Sequence, residues 1–141
     1  MTKGQLAKQN FNTGLNCAQA VVLAFKDEIG LTENQLEKLS IGFGGGLGRQ
    51  RLTCGAVSGM CMVISYLKSD GKDKLAIYSL IQQVCEEFKR EVGSIICAEL
   101  LEGKVKVETS PTPDARTEEY YKKRPCADLC EIAANIAQKY L

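Results

Sequence analysis

Residues 53–68 read TCGAVSGMCMVISYLK, and this stretch gives the clearest evidence for the class of fold. Its apolar side chains recur three or four positions apart, which places them on one face of an α-helix. They are Val57, Met60, Cys61, Ile64 and Leu67. Thr53 can cap the first turn by accepting a hydrogen bond from a free backbone N–H group. We therefore expect a helix from Cys54 to about Lys68, ended by Ser69-Asp70-Gly71, whose apolar face packs against a core.

The helical period recurs along most of the chain, usually after a capping residue or proline and before a glycine. The further predicted helices are Thr2–Asn12, Cys17–Ile29, Thr32–Leu39, Asp73–Val92, Ser94–Leu101 and Pro125–Tyr140. In the longest of them, the predicted core face carries Tyr78, Ile81, Cys85, Phe88 and Val92. A chain of 141 residues suits one domain. The sequence thus predicts an all-α fold, a single-domain bundle (residues 1–141) of about five to seven helices.

Residues 41–51 contain five glycines and interrupt the helical pattern. Each glycine costs about 0.8–1.0 kcal/mol relative to alanine in a helix interior, so we expect a shaped loop. The loop matches neither the G-x-x-x-x-G-K-[S/T] nor the G-x-G-x-x-G nucleotide pattern. It either permits close approach of the backbone to a neighbouring helix or, with Arg49 and Arg51, sets the electrostatics around Cys54.

The segment Lys104–Arg124 has no sustained helical period and contains Pro111 and Pro113. We expect an irregular segment that lies across the surface, with a short extended piece at Val105–Val107. Lys122, Lys123 and Arg124 follow two glutamates, which is typical of a solvated turn.

The composition excludes several classes of function. Eighteen basic and seventeen acidic residues give a net charge of +1, so nucleic acid is not an expected partner. No apolar run approaches the roughly 20 residues that span a bilayer, and the polar start Met1–Gln5 does not resemble a secretory signal. The sequence therefore predicts a cytoplasmic protein that is not integral to the membrane. Seven cysteines in such a chain suggest thiols in a reducing compartment.

Four cysteines fall at or near the predicted starts of four different helices. They are Cys17, Cys54, Cys97 and Cys126. Backbone N–H groups and the positive end of the helix dipole favour a thiolate, so we expect these cysteines to have lowered pKa values. Sulfurs of this kind serve in redox exchange or as metal ligands.

The other three cysteines have a different setting. Cys61 and Cys85 lie in the middle of apolar helix faces, where a free cysteine usually acts as a small core residue. Cys130 shares a helix face with Cys126, so it either joins a site or is another buried thiol. No C-x-x-C pair and no histidine is present, which excludes a thioredoxin-type motif, a zinc ribbon and a Cys-His catalytic dyad.

Several stretches together resemble a bacterial family of redox-active proteins that is marked by four spaced cysteines and a C-G-A-x-x-G motif. They are residues 16–20 (NCAQA), 42–48 (GFGGGLG), 54–59 (CGAVSG), 93–101 (GSIICAELL) and the helix after Cys126. The resemblance covers almost the whole chain. It implies that the family's four cysteines fall on Cys17, Cys54, Cys97 and Cys126, and its motif glycines on Gly55 and Gly59. Because family members are often encoded near transporter genes, it also hints at a membrane-protein client.

Three functions follow from these observations. The first is a thiol–disulfide redox protein, a possible thiol oxidoreductase that acts on a redox partner, in which two or more of the four cysteines cycle between thiol and disulfide. The second is a zinc or iron–sulfur protein with the same four cysteines as ligands. The third is a helical interaction module for a transporter or another partner. The first two require the four sulfurs to converge, with Gly55 and Gly59 permitting close helix approach and with Cys61 and Cys85 in the apolar interior.

Overall fold

A computed structural model describes residues 1–141 and shows an all-α chain with no β-strand. Six helices have eight or more residues, in agreement with the predicted number. The helices are α1 (Lys3–Asn12), α2 (Cys17–Ala24), α3 (Lys26–Ile29), α4 (Glu33–Ser40), α5 (Gly44–Leu47), α6 (Gly55–Lys68), α7 (Lys74–Val92), α8 (Cys97–Leu101), α9 (Glu118–Lys123) and α10 (Cys126–Lys139), with a 3-10 turn at Ile41–Phe43 before α5. None of these helices combines the length and the apolar character that are needed to cross a membrane.

Capping boxes fix the starts of three helices. Thr2, Asn16 and Thr32 each accept a hydrogen bond from the backbone N–H of a glutamine three positions later. The glutamine side chain in turn accepts a hydrogen bond from the backbone N–H of the capping residue. This reciprocal arrangement satisfies N–H groups that a helix start leaves free. The cap of α2 also fixes the position of Cys17, which is the first residue of that helix.

The core lies between α1, α2, α6 and α10, which pack against one another. Their contact faces are rich in fully buried alanines, which let the helix axes approach closely. The alanines are Ala7, Ala18, Ala20, Ala24, Ala56, Ala133, Ala134 and Ala137. The buried rings of Phe11, Phe25 and Phe88 fill the wider gaps. Close packing of these four helices holds the starts of α2, α6 and α10 in fixed positions.

Two predicted helices differ in the structure. The helix predicted over Cys17–Ile29 breaks at Phe25, whose N–H donates to the carbonyl of Val22 three positions back. This tighter turn separates α2 from α3, and the Phe25 ring at the break is fully buried. In α7 the predicted core face began at Tyr78, but that residue is 59% exposed. The buried residues of this helix are Val84 and Phe88, so the face that packs on the core is shorter than predicted.

The segment 104–124 is irregular as predicted up to residue 117, but it then forms α9. Thr117 caps α9, acidic residues occupy its first turn and basic residues its last, which suits the helix dipole. The sequence pattern did not predict this helix, because its only apolar side chains are the neighbouring Tyr120 and Tyr121 and they form no stripe at helical spacing. The extended piece predicted at Val105–Val107 forms no strand.

Candidate functional site

The four cysteines at helix starts line one cavity of about 540 Å³. Cys17, Cys97 and Cys126 are the first residues of α2, α8 and α10, and Cys54 is the residue that precedes α6. The expected convergence of these side chains is therefore present. None of the cysteines forms a disulfide in this structure, so all of them are free thiols.

Backbone pairing places Cys54 beside Cys97. The N–H of Cys54 donates to the carbonyl of Ile95 at 2.7 Å, and the N–H of Cys97 donates to the carbonyl of Leu52 at 2.6 Å. An isolated antiparallel bridge lies between these two bonds. Residues before α6 and before α8 thus run side by side, and both helices start at the cavity.

Gly55 and Gly59 let α6 lie directly against α2. A Cβ atom on Gly55 would lie 3.1 Å from the Cβ of Cys17, and one on Gly59 would lie 2.9 Å from the carbonyl oxygen of Ala18. Both distances are shorter than ordinary contacts, so only glycine fits without displacement of α2. The close approach expected at these two glycines is present, and it brings Cys54 to Cys17.

The glycine loop forms the rim of the cavity. Gly45, Gly46 and Gly48 have positive φ angles, as do Leu47, Arg49 and Arg51. At Gly46 a Cβ would lie 2.5 Å from the backbone nitrogen of Leu52, so the chain folds back onto itself here. This path turns the Arg49 and Arg51 side chains toward the cavity, which they both line.

Cys130 lies behind the cavity, in the second turn of α10, and does not line it. Its thiol donates a hydrogen bond to the carbonyl oxygen of Cys17 at 3.7 Å, and its side chain is fully buried. The thiols of Cys17, Cys126 and Cys130 are close enough to change one another's pKa values. The spacing of four residues left two alternatives for Cys130, and the structure shows a fully buried thiol that neighbours Cys17.

The expectation of lowered pKa values at the four helix starts is wrong in this structure. Burial raises the pKa of Cys54 to about 12, although the N–H groups of Val57 and Ala56 act in the opposite direction. Burial also raises the pKa of Cys97, against the lowering effect of the Arg51 guanidinium. The helix starts point inward, and loss of water around the sulfur outweighs the attraction of the N–H groups.

The remaining three pKa values in this cluster are also raised. The Cys126 thiol lowers the pKa of Cys17, but the Cys130 thiol and burial together bring it well above its usual value. Interaction with Cys17 and burial raise the pKa of Cys126, and burial raises that of Cys130. The resting site therefore contains neutral thiols at neutral pH.

Four arginines and one carboxylate surround these thiols; they are Arg49, Arg51, Arg116, Arg124 and Asp114. Sequence reasoning selected Arg49 and Arg51 but missed the other three. Those three come from the segment 104–124, which lies across the surface as expected and in doing so covers the cavity. A charged residue in an irregular segment gives no periodic signal, so its direction depends on tertiary structure alone.

Asp114 links two of the arginines. Its Oδ2 atom accepts hydrogen bonds from Arg49 at 2.8 Å and from Arg124 at 2.7 Å. The Arg49 guanidinium is the main cause of the lowered pKa of Asp114, outweighing its partial burial. Arg116 donates to the carbonyls of Phe11 and Leu15 and so fastens the segment to the end of α1.

The chain matches a family model over residues 15–140, and the description of that family is "Putative redox-active protein (C_GCAxxG_C_C)". The chain belongs to this family. The matched range contains all the cysteines and the glycine motif of this family member, in agreement with the resemblance noted in the sequence. Comparisons with curated proteins and with solved structures found no match.

Cys61 and Cys85 lie outside the cavity of this family member. Both pack against the apolar core but are only partly buried, so they lie at its edge and not in the interior as predicted. Their sulfur atoms are 3.7 Å apart across the contact between α6 and α7. This pair was not predicted from the sequence, because local patterns do not show which helices contact each other. Each residue considered alone matches an apolar helix face.

The donor atoms are not arranged as a metal site. No group of three or more cysteine, aspartate or glutamate side chains has the mutual proximity that a metal ion requires. The residues that could supply thiolate ligands are those of the cavity, but their sulfurs would have to move together first. Because zinc–thiolate bonds are about 2.3 Å long, each sulfur would have to come that close to the same metal ion.

Proposed function

We propose that the protein is a thiol–disulfide redox protein that reacts in the cavity lined by Cys17, Cys54, Cys97 and Cys126. The observation that supports this proposal is that four helices, distant in sequence, start at one cavity and each bring a cysteine to it. The family description as redox-active agrees with the proposal. Stability alone does not require this arrangement, since a chain of this length can bury a sufficient apolar core without it.

We assign Cys97 as the attacking nucleophile. It is only partly buried, whereas Cys54 and Cys126 are 4% and 9% exposed. The Nη1 atom of Arg51 lies 3.8 Å from its sulfur, and a neighbouring cation stabilises a thiolate. The Cys97 thiolate attacks one sulfur of a disulfide RSSR, forms a mixed disulfide and releases RS⁻, which takes up a proton.

Cys126 is the proposed resolving cysteine, because it lines the same cavity as Cys97 and is close enough for its charge to raise the pKa of Cys97. Its thiolate attacks the Cys97 sulfur of the mixed disulfide and releases the second RS⁻. Two protein thiols thereby become one protein disulfide, and RSSR becomes two molecules of RSH. Such a protein suits a reducing compartment such as the cytoplasm, where its resting cysteines are thiols.

The competing use of the same cysteines is a zinc or iron–sulfur centre. It would need sulfurs gathered around one point, and no such group of donors is present. The redox proposal needs only one pair of sulfurs at a time to meet, so it demands less movement. We therefore place the redox function first and use metal content as a discriminating measurement.

Thiol counting on a variant without the second cysteine pair tests the proposal. The variant Cys61→Ser/Cys85→Ser is reduced, freed of reductant without air and treated with one equivalent of bis(2-hydroxyethyl) disulfide. We expect the loss of two thiols and a Cys97–Cys126 cross-link in the peptide map. Adding Cys97→Ser should prevent the loss, whereas adding Cys130→Ser should not.

An unchanged thiol count would refute the redox function. An equal loss with Cys97→Ser would refute the assignment of the nucleophile. Elemental analysis of protein purified without air provides the other arm, because stoichiometric zinc or iron would favour the metal centre instead.

A further inference from the structure

The charges around the cavity are unbalanced. Arg49 and Arg124 share a single carboxylate oxygen of Asp114, and neither Arg51 nor Arg116 has a carboxylate within ion-pair distance. Arg116 is nevertheless well satisfied, since it donates to two backbone carbonyls and lies over the rings of Phe11 and Tyr120. Arg51 is therefore the cation that has neither a direct ion pair nor an aromatic partner, and Asp114, whose pKa its charge also lowers, is already bonded to Arg49 and Arg124.

Arg51 is buried and held in place by its backbone. Its residue is 5% exposed, its N–H donates to the carbonyl of Gly45 at 3.0 Å, and its carbonyl accepts from Ala98 at 3.1 Å. Its Nε donates to the carbonyl of Glu108 at 2.8 Å, which directs Nη1 toward the sulfur of Cys97. A buried charge without a counter-ion is unfavourable, so this position favours a negative group beside Cys97.

The glycine loop keeps space next to this guanidinium. A Cβ on Gly45 would lie 2.8 Å from Cγ of Arg49, which is too close, and 3.7 Å from Nη1 of Arg51, so it would displace Arg49 and occupy the space in contact with the Arg51 guanidinium. The cavity volume of about 540 Å³ lies within the roughly 300–1,000 Å³ typical of small-molecule sites.

Resting on the proposed function, we propose that the oxidised substrate is a small disulfide that carries a carboxylate, bound by Arg51 with its sulfur at Cys97. The Cys97 thiolate and the substrate form the mixed disulfide described above, and the released product is a thiol carboxylate. Cys126 then frees the second thiol carboxylate. The other arginines keep the local potential positive, which raises the concentration of anions at the cavity entrance.

Three small disulfides of different charge test this inference on the Cys61→Ser/Cys85→Ser protein. They are 3,3′-dithiodipropionate, which is an anion, bis(2-hydroxyethyl) disulfide, which is neutral, and cystamine, which is a cation. We expect the anion to oxidise the cavity thiols about tenfold faster than the neutral compound, and the cation to be slowest. Raising the salt concentration should reduce this preference.

The variant Arg51→Gln isolates the proposed contact. In this variant the rate of oxidation by the neutral disulfide will fall as well, since Arg51 also stabilises the Cys97 thiolate. The readout is therefore the rate with the anionic disulfide divided by the rate with the neutral one. We expect this ratio to fall close to one, and Arg51→Lys to restore part of it. Circular dichroism shows whether Arg51→Gln folds. If it does not fold, the inference is tested by the effect of salt on the preference of the Cys61→Ser/Cys85→Ser protein for the anionic disulfide.

Equal rates for the three compounds, or an unchanged ratio in folded Arg51→Gln, would overturn the inference and leave the redox function intact. Failure of all three compounds to oxidise the cavity thiols would instead contradict the redox function itself.

A second inference rests on Cys61 and Cys85. Their sulfurs are 3.7 Å apart, both thiols are partly exposed, and neither residue lines the cavity of the four cysteines. The hydrogen bond between the two thiols lowers the pKa of Cys85 and raises the pKa of Cys61, and burial adds to the rise at Cys61. Cys85 is thus the better nucleophile of the two.

The geometry points to a second, separate dithiol that a hydroperoxide converts to a disulfide between α6 and α7. The Cys85 thiolate attacks one oxygen of hydrogen peroxide, becomes a sulfenic acid and releases hydroxide, which takes up a proton to give water. The Cys61 sulfur then attacks the Cys85 sulfur, and a second water leaves. Because α7 is anchored by only two fully buried side chains, the new bond would tie it more firmly to α6.

Peptide mapping after treatment with hydrogen peroxide tests this second inference. We expect a Cys61–Cys85 cross-link, and a higher melting temperature than in reduced protein. Cys61→Ser should leave a sulfenic acid at Cys85 that dimedone traps, whereas Cys85→Ser should give no adduct at Cys61. Absence of the cross-link while other cysteines oxidise, or trapping chiefly at Cys61, would refute it.

Discussion

Replacing Gly59 with alanine tests how closely α6 must approach α2. The added Cβ would lie 2.9 Å from the carbonyl oxygen of Ala18 and 3.0 Å from the Cβ of Val21. Neither atom lies at the end of a flexible side chain, so neither can turn away. Helix α2 must therefore move by a few tenths of an ångström, and Cys17 at its start moves with it.

Two opposing effects determine the magnitude. Replacing glycine by alanine in a helix interior stabilises by about 0.8–1.0 kcal/mol. An extra methyl group in a packed core destabilises by about 1–3 kcal/mol. We expect the second effect to exceed the first, with a net loss of about 1 kcal/mol for Gly59→Ala. Gly59→Val adds a branched side chain at the same point and should lose about 2–4 kcal/mol.

Urea unfolding under reducing conditions measures the free energy of unfolding, and timed alkylation with peptide mapping measures the reactivity of Cys17. Ser65→Ala is a matched control in α6, because Ser65 is only partly buried and its hydroxyl makes no hydrogen bond. The control should gain a few tenths of a kcal/mol and leave Cys17 unchanged. A gain of about 0.8–1.0 kcal/mol for Gly59→Ala, with unchanged Cys17 reactivity, would refute the reasoning.

Three further predictions concern charge and protonation. The free energy of unfolding should fall as the pH rises from about 9 to 12, because burial raises the pKa of Cys54 from 9.0 to about 12 and the unfolded chain releases that proton first. Urea unfolding at stepped pH measures this slope, which Cys54→Ala should flatten. Asp114→Asn should destabilise by about 1–2 kcal/mol, because Arg49 and Arg124 lose the carboxylate that they share, and thermal unfolding should show a smaller loss at high salt. Arg116→Leu should destabilise by about 1–3 kcal/mol in urea unfolding, since two backbone carbonyls lose their donor; a loss below 0.5 kcal/mol would contradict this role.

Local sequence patterns were sufficient for the class of fold and for the choice of the four cysteines. The apolar spacing in residues 53–68 corresponds to α6, and the capping pattern of Thr32 and Gln35 corresponds to the start of α4. These features depend on residues within one or two turns, so neighbouring sequence contains the necessary information. The same argument located Cys17 and Cys126 at the first positions of their helices.

Local patterns failed where the outcome depends on distant residues. The helix-start argument predicted lowered pKa values because it considered only the N–H groups of one helix. The pKa of Cys54 rises instead, since several packed elements remove the water around its sulfur. In the same way, Cys61 and Cys85 each match an apolar helix face, and only the crossing of α6 and α7 brings their sulfurs together.

The sequence by itself determined the six longer helices, the glycine loop and which cysteines stand at helix starts, but not α9 or the break between α2 and α3. Only the tertiary structure decided that Asp114, Arg116 and Arg124 cover the cavity, that Cys130 adjoins Cys17, and that Arg51 faces Cys97. The physical reason is the range of the forces involved. Helix periodicity and capping act within a few residues, whereas desolvation and charge pairing depend on every group that folding brings within a few ångströms.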